Sequence, residues 1–170
     1  MIGTAVYDVS EYAVEAELIR IFSDKKLTFC TAESCTGGMI CQRLCAVPGA
    51  SAVLYGGIVS YDNSVKMNVL RVPASVLEAF GAVSEQCAAA MADGARKLCR
   101  TDVAVSVTGI AGPDGGTAEK PVGTVCFAVA WSGGVETFTE HFGRDKSRET
   151  IRRSAAKYAM ELASKKAAEA

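Results

Sequence analysis

A serine set between a glutamate and a cysteine and followed at once by Thr36-Gly37-Gly38 is the stretch of this chain with the most obvious chemistry. Ser34 offers a hydroxyl nucleophile. Gly37 and Gly38 let a ligand approach the backbone closely, and the first amides of a helix beginning here would face outward as donors for a phosphate or an oxyanion. Such a nucleophile needs a base. The single histidine, His141, lies far along the chain, whereas Lys66 closes the segment Tyr61-Asp62-Asn63-Ser64-Val65-Lys66. Lysine accepts a serine proton once burial or a neighbouring cation lowers its proton affinity. Tyr61 and Thr108 add two hydroxyls. The run from Gly109 through Gly112 to Gly116 is too rich in Gly and Pro for regular structure, and it has the composition of a functional loop. Each feature has a bland counterpart: a capped helix start at Ser34, a solvated helix lysine at Lys66.

The elements that must position these groups follow from hydrophobic pattern and turn signals. Leu27–Thr31 reads as a buried strand and Met39–Ala46 as a helix that stops before Pro48. Ser10 is suited to cap a first helix that sets Val14, Leu18, Ile21 and Phe22 on one face. Ile58–Tyr61 reads as a second strand, Asp62-Asn63 as the cap of the helical piece carrying Lys66, and Pro73 as the first residue of another short helix. An alanine-rich helix runs from Ser84 to about Cys99, and Val103–Val107 is a third strand, apolar enough to be covered on both faces. Gly123–Trp131 and Val135–Phe142 flank Ser132-Gly133-Gly134 as an antiparallel hairpin. A last helix begins near Asp145 and turns Ile151, Ala155, Tyr158 and Leu162 inward. The expected fold is a single α/β domain over residues 1–170, a three-layer α/β/α sandwich around a mixed, mostly parallel sheet of about five strands. Open sheets of this kind bind ligands outside the carboxyl ends of their strands. Ser34, Tyr61 and Thr108 all fall at or just after such ends.

Composition narrows the function. With 18 basic and 19 acidic residues and a net charge of -1, nothing points to a nucleic-acid surface. No apolar run approaches the roughly 18 residues of a membrane span, and the acidic first 17 residues lack the pattern of a secretion signal. A cytoplasmic protein with no membrane partner is expected. The seven cysteines, odd in number, read as reduced thiols and mostly as small buried hydrophobes. Their spacings miss the usual zinc pairs, so no metal is expected. There is no Gly-x-Gly-x-x-Gly and no Gly-x-x-x-x-Gly-Lys-Ser/Thr. Two Ser-x-x-Lys matches, Ser23 to Lys26 and Ser154 to Lys157, lie in amphipathic helices without the partner motifs of penicillin-binding enzymes.

Thr31-Ala-Glu-Ser-Cys-Thr-Gly-Gly38, Gly56-Gly57 with Tyr61-x-Asn63-x-x-Lys66, Gly81-Ala-Val-Ser-Glu85, Gly109-Ile-Ala-Gly-Pro-Asp-Gly-Gly116 and Lys120-Pro-Val-Gly-Thr124 together resemble the CinA C-terminal-domain family of nicotinamide-nucleotide amidohydrolases. The likeness spans nearly the whole chain, with the motifs in order. It implies hydrolysis of the carboxamide of nicotinamide mononucleotide to nicotinate mononucleotide and ammonia, a step of pyridine-nucleotide salvage, with no cofactor and in a homo-oligomer. By the same resemblance Ser34 is the nucleophile, Lys66 the base and Tyr61 an aid to proton transfer. Thr108 and Arg148 match further active-site positions, with Thr36, Gly37, Gly38, Gly109 and Gly112 around the substrate. Ser51 is a weaker match, because Ala50 stands where the family commonly has a second serine. Arg152 and Arg153 follow Arg148 closely, so the phosphate has three candidate arginines. In larger members this domain follows an N-terminal domain, which this chain is expected to lack. A nucleotide-binding or accessory module of the same fold, without catalysis, stays open as the alternative.

Overall fold

The computed structural model describes residues 13–170; the expected cap at Ser10 lies outside them. The elements are α1 (Ala13–Asp24), β1 (Phe29–Glu33), α2 (Met39–Cys45), α3 (Ala50–Val53), β2 (Leu54–Val59), α4 (Asn63–Asn68), α5 (Ala74–Phe80), α6 (Glu85–Cys99), β3 (Val103–Gly109), β4 (Thr124–Trp131), β5 (Gly134–His141) and α7 (Arg148–Glu169). The strands form one sheet in the order β2-β1-β3-β4-β5. β1 pairs in parallel with β2 and β3, while β3 with β4 and β4 with β5 are antiparallel. Only β4 is reversed, so the sheet is mixed with four strands pointing one way.

Strand alternation sorts large side chains from small ones. In β3 and β4 the residues Val103, Val105, Val107, Val125, Phe127 and Val129 face α1, α2 and α7, where they bury against Leu18, Phe22, Ile151 and Met160. Each such side chain contributes about 1.5–3 kcal/mol of transfer free energy. The intervening positions are Ala104, Ala128, Ala130 and Cys126, and they meet the alanine-rich α6 on the opposite face. Small residues on both partners let that helix lie close to the sheet. Gly94 of α6 is needed for a similar reason, since a Cβ there would collide with the Leu70 carbonyl.

Capping follows the sequence closely. Asp62 caps α4 by accepting from the Ser64 amide at 2.8 Å, and Ser84 caps α6 by accepting from the Cys87 amide at 3.1 Å. Ser147 caps α7, which therefore starts at Arg148, three residues later than expected from Asp145, while Pro73 sits at the N-cap of α5 instead of inside its first turn. Two strands are displaced from their expected positions. β1 ends at Glu33 rather than Thr31, and β2 covers Leu54–Val59 rather than Ile58–Tyr61. Gly56-Gly57, which precede the expected second strand, sit inside β2. At Gly57 a Cβ would collide with Cys41 Sγ of α2, so the glycine permits the helix to cross the strand at short range.

The connection from β1 to β2 runs through α2 and α3 over one face of the sheet, and that from β2 to β3 runs through α4, α5 and α6 over the other. β1 therefore sits where the winding reverses, with β2 on one side and β3 on the other. The carboxyl ends of β1 and β3 open into a crevice there, the usual ligand position of a doubly wound sheet.

Candidate active site

Ser34 immediately follows β1. Its amide donates to the Val107 carbonyl of β3 at 2.9 Å, and the Ser60 amide beyond β2 donates to the Glu33 carbonyl at 2.8 Å, so both parallel ladders run one step past the strands. The register then sets Ser60, Ser34 and Thr108 in a row across three neighbouring chain segments. Parallel register puts their side chains on one face, the side of α4 and α6. Thr108 Oγ1 donates to the Ala82 carbonyl at 2.8 Å, leaving its lone pairs free.

Lys66 reaches this row from α4 and is only 1% exposed. Its Nζ lies 3.2 Å from Ser34 Oγ, 2.7 Å from the Ser60 carbonyl and 3.1 Å from the Tyr61 carbonyl. Burial lowers its proton affinity below the ordinary lysine range, opposed by the nearby Cys87, Asp62 and Cys35 groups. As an ammonium Lys66 donates to all three oxygens; once it loses a proton, two N–H bonds stay on the carbonyls and the lone pair faces the Ser34 hydroxyl. The exposed-lysine reading is thereby ruled out. A cavity of about 200 Å³ opens onto Ser34 and Lys66, bordered also by Tyr61, Asn63, Gly109 and Arg148. Larger cavities exist, such as one of about 410 Å³ beside Arg43 and Arg153, but neither Ser34 nor Lys66 lines it.

The turn after Ser34 differs from expectation. The α2 amides do not face outward: the buried Glu33 carboxylate accepts from the Gly38, Ile40 and Cys41 amides at 2.9, 3.2 and 3.2 Å, and from Thr31 Oγ1 at 3.2 Å. The protein supplies its own anion at this helix start. Gly37 and Gly38 have φ of +64° and +93°, a left-handed backbone that a side chain would strain, which is reason enough for glycine there. The Gly37 amide is also used, donating to the Ser34 carbonyl at 3.1 Å. Among the described residues only the Cys35 and Thr36 amides of this turn find no acceptor. The Gly37 and Gly38 amides, expected with Thr36 to hold an oxyanion, are therefore already taken. The Cys35 thiol itself is pushed up to about 12 by burial and stays protonated at neutral pH.

Residues 11–167 match the family model described as the CinA C-terminal domain. This chain belongs to the CinA C-terminal domain family. A putative competence-damage inducible protein of Caldicellulosiruptor bescii is 44% identical over 97% of the chain, and a CinA-like protein of Pseudothermotoga lettingae is 54% identical over 69% of it. The chain spans 40% and 29% of the length of these two relatives. Among solved structures, a competence/damage inducible protein from Agrobacterium tumefaciens superposes with a TM-score of 0.87 at 40% identity, covering 94% of this chain and 96% of that one. A CinA superfamily protein from Klebsiella pneumoniae gives 0.89 at 34%, covering 94% and 98%.

Within this CinA-type fold the three candidate arginines separate cleanly. Arg148 faces the cavity, donating to the Gly112 carbonyl at 2.7 Å and to the Tyr61 hydroxyl at 3.2 Å. Arg152 is occupied by the Cys35 and Thr36 carbonyls at 3.0 and 2.8 Å, and Arg153 by Glu149 at the surface. Tyr61 is 63% exposed. Its hydroxyl meets Arg148, and its contact with Lys66 is through the backbone carbonyl. The Tyr61 phenol therefore does not stand between Lys66 and Ser34, which touch directly. Gly109 ends β3 on the cavity wall, Gly112 presents its carbonyl to Arg148, and Ser51 is exposed in α3 and does not line the cavity. His141 closes β5, three strands from Ser34, with Nδ1 against Thr124 Oγ1 at 3.1 Å. No serine–histidine pair forms.

Three residues of the site, Glu33, Asn63 and Ser60, are given no role by the sequence. Glu33 carries a signal, since a carboxylate ending a buried strand demands donors, but only once β1 is seen to end there. Asn63 lies inside the Tyr61-x-Asn63-x-x-Lys66 motif, and Ser60 carries no local signal. Arg152, a candidate for the phosphate, holds the turn carbonyls instead. The Ser60 and Thr36 hydroxyls are both buried and have no partner.

Among the described residues no three His, Cys, Asp or Glu side chains converge as a metal site requires, and no helix is long and apolar enough to cross a membrane.

Proposed function

We propose that this CinA-family domain is a serine amidohydrolase that converts nicotinamide mononucleotide to nicotinate mononucleotide and ammonia, as a cytoplasmic homo-oligomer of single-domain subunits. The observation that carries this reading is the buried Lys66 Nζ at 3.2 Å from Ser34 Oγ, with two carbonyls absorbing its other hydrogen bonds. The Ser34 hydroxyl gives its proton to Lys66 as Oγ attacks the amide carbon. The tetrahedral oxyanion accepts from the Cys35 and Thr36 amides, a type of contact whose loss costs about 10²–10³ in turnover. Lys66 passes the proton to the departing ammonia, then draws one from the water that attacks the acyl-serine and hands it to Ser34 Oγ as the ester bond breaks.

The cavity of about 200 Å³ is small for a whole nucleotide. It takes the carboxamide-bearing ring, whose amide hydrogens face the free lone pairs of Thr108 Oγ1 and the side chain of Asn63. The ribose phosphate leaves past exposed Tyr61, and Arg148 meets the phosphate with donors not used by Gly112 and Tyr61. Incubation with nicotinamide mononucleotide and measurement of ammonia and nicotinate mononucleotide tests the reading directly. Binding without any product would replace it with a nucleotide-binding module.

A further inference from the structure

The Ser34–Gly38 turn is held from two sides by charged groups that never reach the cavity floor. On one side the Glu33 carboxylate takes the Gly38 amide at 2.9 Å and fixes the Gly37–Gly38 peptide. On the other, the Arg152 guanidinium comes from α7, 117 residues away from Cys35 in sequence, with Nε on the Cys35 carbonyl at 3.0 Å and Nη2 on the Thr36 carbonyl at 2.8 Å. Its remaining edge is steadied by Glu149 at 3.1 Å. The Ser34–Cys35 peptide is fixed by the Gly37 amide on the Ser34 carbonyl at 3.1 Å. Four consecutive peptide planes are thus restrained, in a turn with two left-handed glycines that would otherwise have many orientations open to it.

A trans peptide directs its N–H opposite to its C=O. With the Cys35 carbonyl turned to Arg152, the Thr36 N–H points away from α7, and it has no acceptor among the described residues. A cation on a carbonyl also polarises the amide and makes its N–H a better donor. We propose that Arg152 is a positioning residue, which aims and strengthens the Thr36 amide directly, and the Cys35 amide through the Gly37 N–H on the Ser34 carbonyl, as oxyanion donors without itself touching the substrate. This rests on the acyl-serine reading of Ser34. It distinguishes Arg152 from Arg148, whose guanidinium lies in the cavity wall.

The test compares wild type with Arg152→Ala and Arg152→Lys in three measurements: Michaelis kinetics on nicotinamide mononucleotide, the thermal unfolding midpoint, and the rate at which an alkyl fluorophosphonate labels Ser34. In labelling, a Ser34 Oγ–phosphorus bond forms as fluoride leaves and the serine proton passes to Lys66, while the phosphoryl oxygen occupies the oxyanion position. A misaimed oxyanion site should lower kcat roughly ten- to hundredfold, leave KM within about twofold, and slow labelling in step. Lysine, which lacks the planar fork that spans two carbonyls, should rescue only part of the loss, and guanidinium ion added to Arg152→Ala should restore some of the rate. Wild-type kcat and labelling in a folded Arg152→Ala protein would overturn the proposal, as would a loss confined to KM, which would put Arg152 on the phosphate. If Arg152→Ala does not fold, the Lys variant decides by the same criteria. A wild-type chain labelled at Ser34 but inert towards nicotinamide mononucleotide would remove the substrate assignment and leave the role of Arg152 to the labelling rates. A wild-type Ser34 that resists the probe removes the acyl-serine reading and this proposal with it.

Discussion

In the β2-β1-β3 half of the sheet, neighbouring strands run the same way and their carboxyl ends arrive together, so Ser60, Ser34 and Thr108 emerge side by side with Lys66 beneath them. Across β3-β4-β5 the strands alternate in direction, and the end of one meets the start of the next. That half is just as well buried through Phe127 and Val129, yet it places His141 and Thr124 at a rim away from the nucleophile. Burial alone does not assemble a site here. Parallel neighbours do, because they bring the same phase of the pleat to the same edge, and the reversal of winding at β1 keeps loops from covering it.

This contrast predicts a graded series of substitution effects on ammonia release. Ser34→Ala in the parallel half should abolish turnover with little change in folding or substrate affinity, and substantial residual turnover would break the contrast at its centre. Lys66→Arg and Lys66→Ala should each lower kcat by roughly a hundredfold or more, because arginine keeps the charge but cannot give up its proton. A near-normal kcat with a raised KM in Lys66→Arg would move this lysine from catalysis to binding. Arg148→Ala should act mainly on KM, raising it roughly ten- to a hundredfold for a lost charge-assisted hydrogen bond of about 1.5–3 kcal/mol. A comparable increase in a substrate lacking the phosphate would contradict that assignment. His141→Ala, in the antiparallel half, should stay within about twofold of wild type, as should protein dialysed against a strong chelator. A loss as deep as that of Ser34→Ala, in a folded protein, would restore the histidine as base.

The pH dependence of the parallel half follows from burial of Lys66. Its lowered proton affinity means that kcat/KM should rise with pH as the ammonium loses its proton, below the ordinary lysine range. Lys66→Arg should show no such rise. Stability carries the same sign. Between the lowered pKa and the ordinary one the unfolded chain binds more protons than the folded one, so folding becomes more favourable as pH rises through that window. The difference in unfolding free energy between wild type and Lys66→Met should follow this slope, and a flat difference would mean that Lys66 titrates normally.

Much of the architecture was legible in the sequence, because it depends on local signals. The caps at Asp62 and Ser84, the apolar run of β3 and the hairpin around Gly133 are each set within a few residues. Strand ends also sufficed to place Ser34 and Thr108 together, although Ser60 stands in the row where Tyr61 was expected. What stayed hidden depends on distance along the chain. The turn's true donors could not be found without knowing that Glu33 had already taken the α2 amides, and that depended on ending β1 two residues later. The separation of Arg148, Arg152 and Arg153 required the angle of α7 against α2, which no motif encodes. Gly57 was opaque for a related reason: its need for small size comes from α2 crossing β2.

The way the Ser34 turn is anchored also bears on when this site takes shape during synthesis. α2 has seven residues, fewer than half of the roughly 15 that an isolated helix needs to persist in water. It is tied at one end to a strand of the finished sheet, and the preceding loop is gripped by a helix that begins at residue 148. A nascent chain that has exposed Ser34, Lys66 and Thr108 but not yet α7 holds every reacting group and lacks their arrangement. Translation order thus delays the arrangement of these groups until α7 has been made.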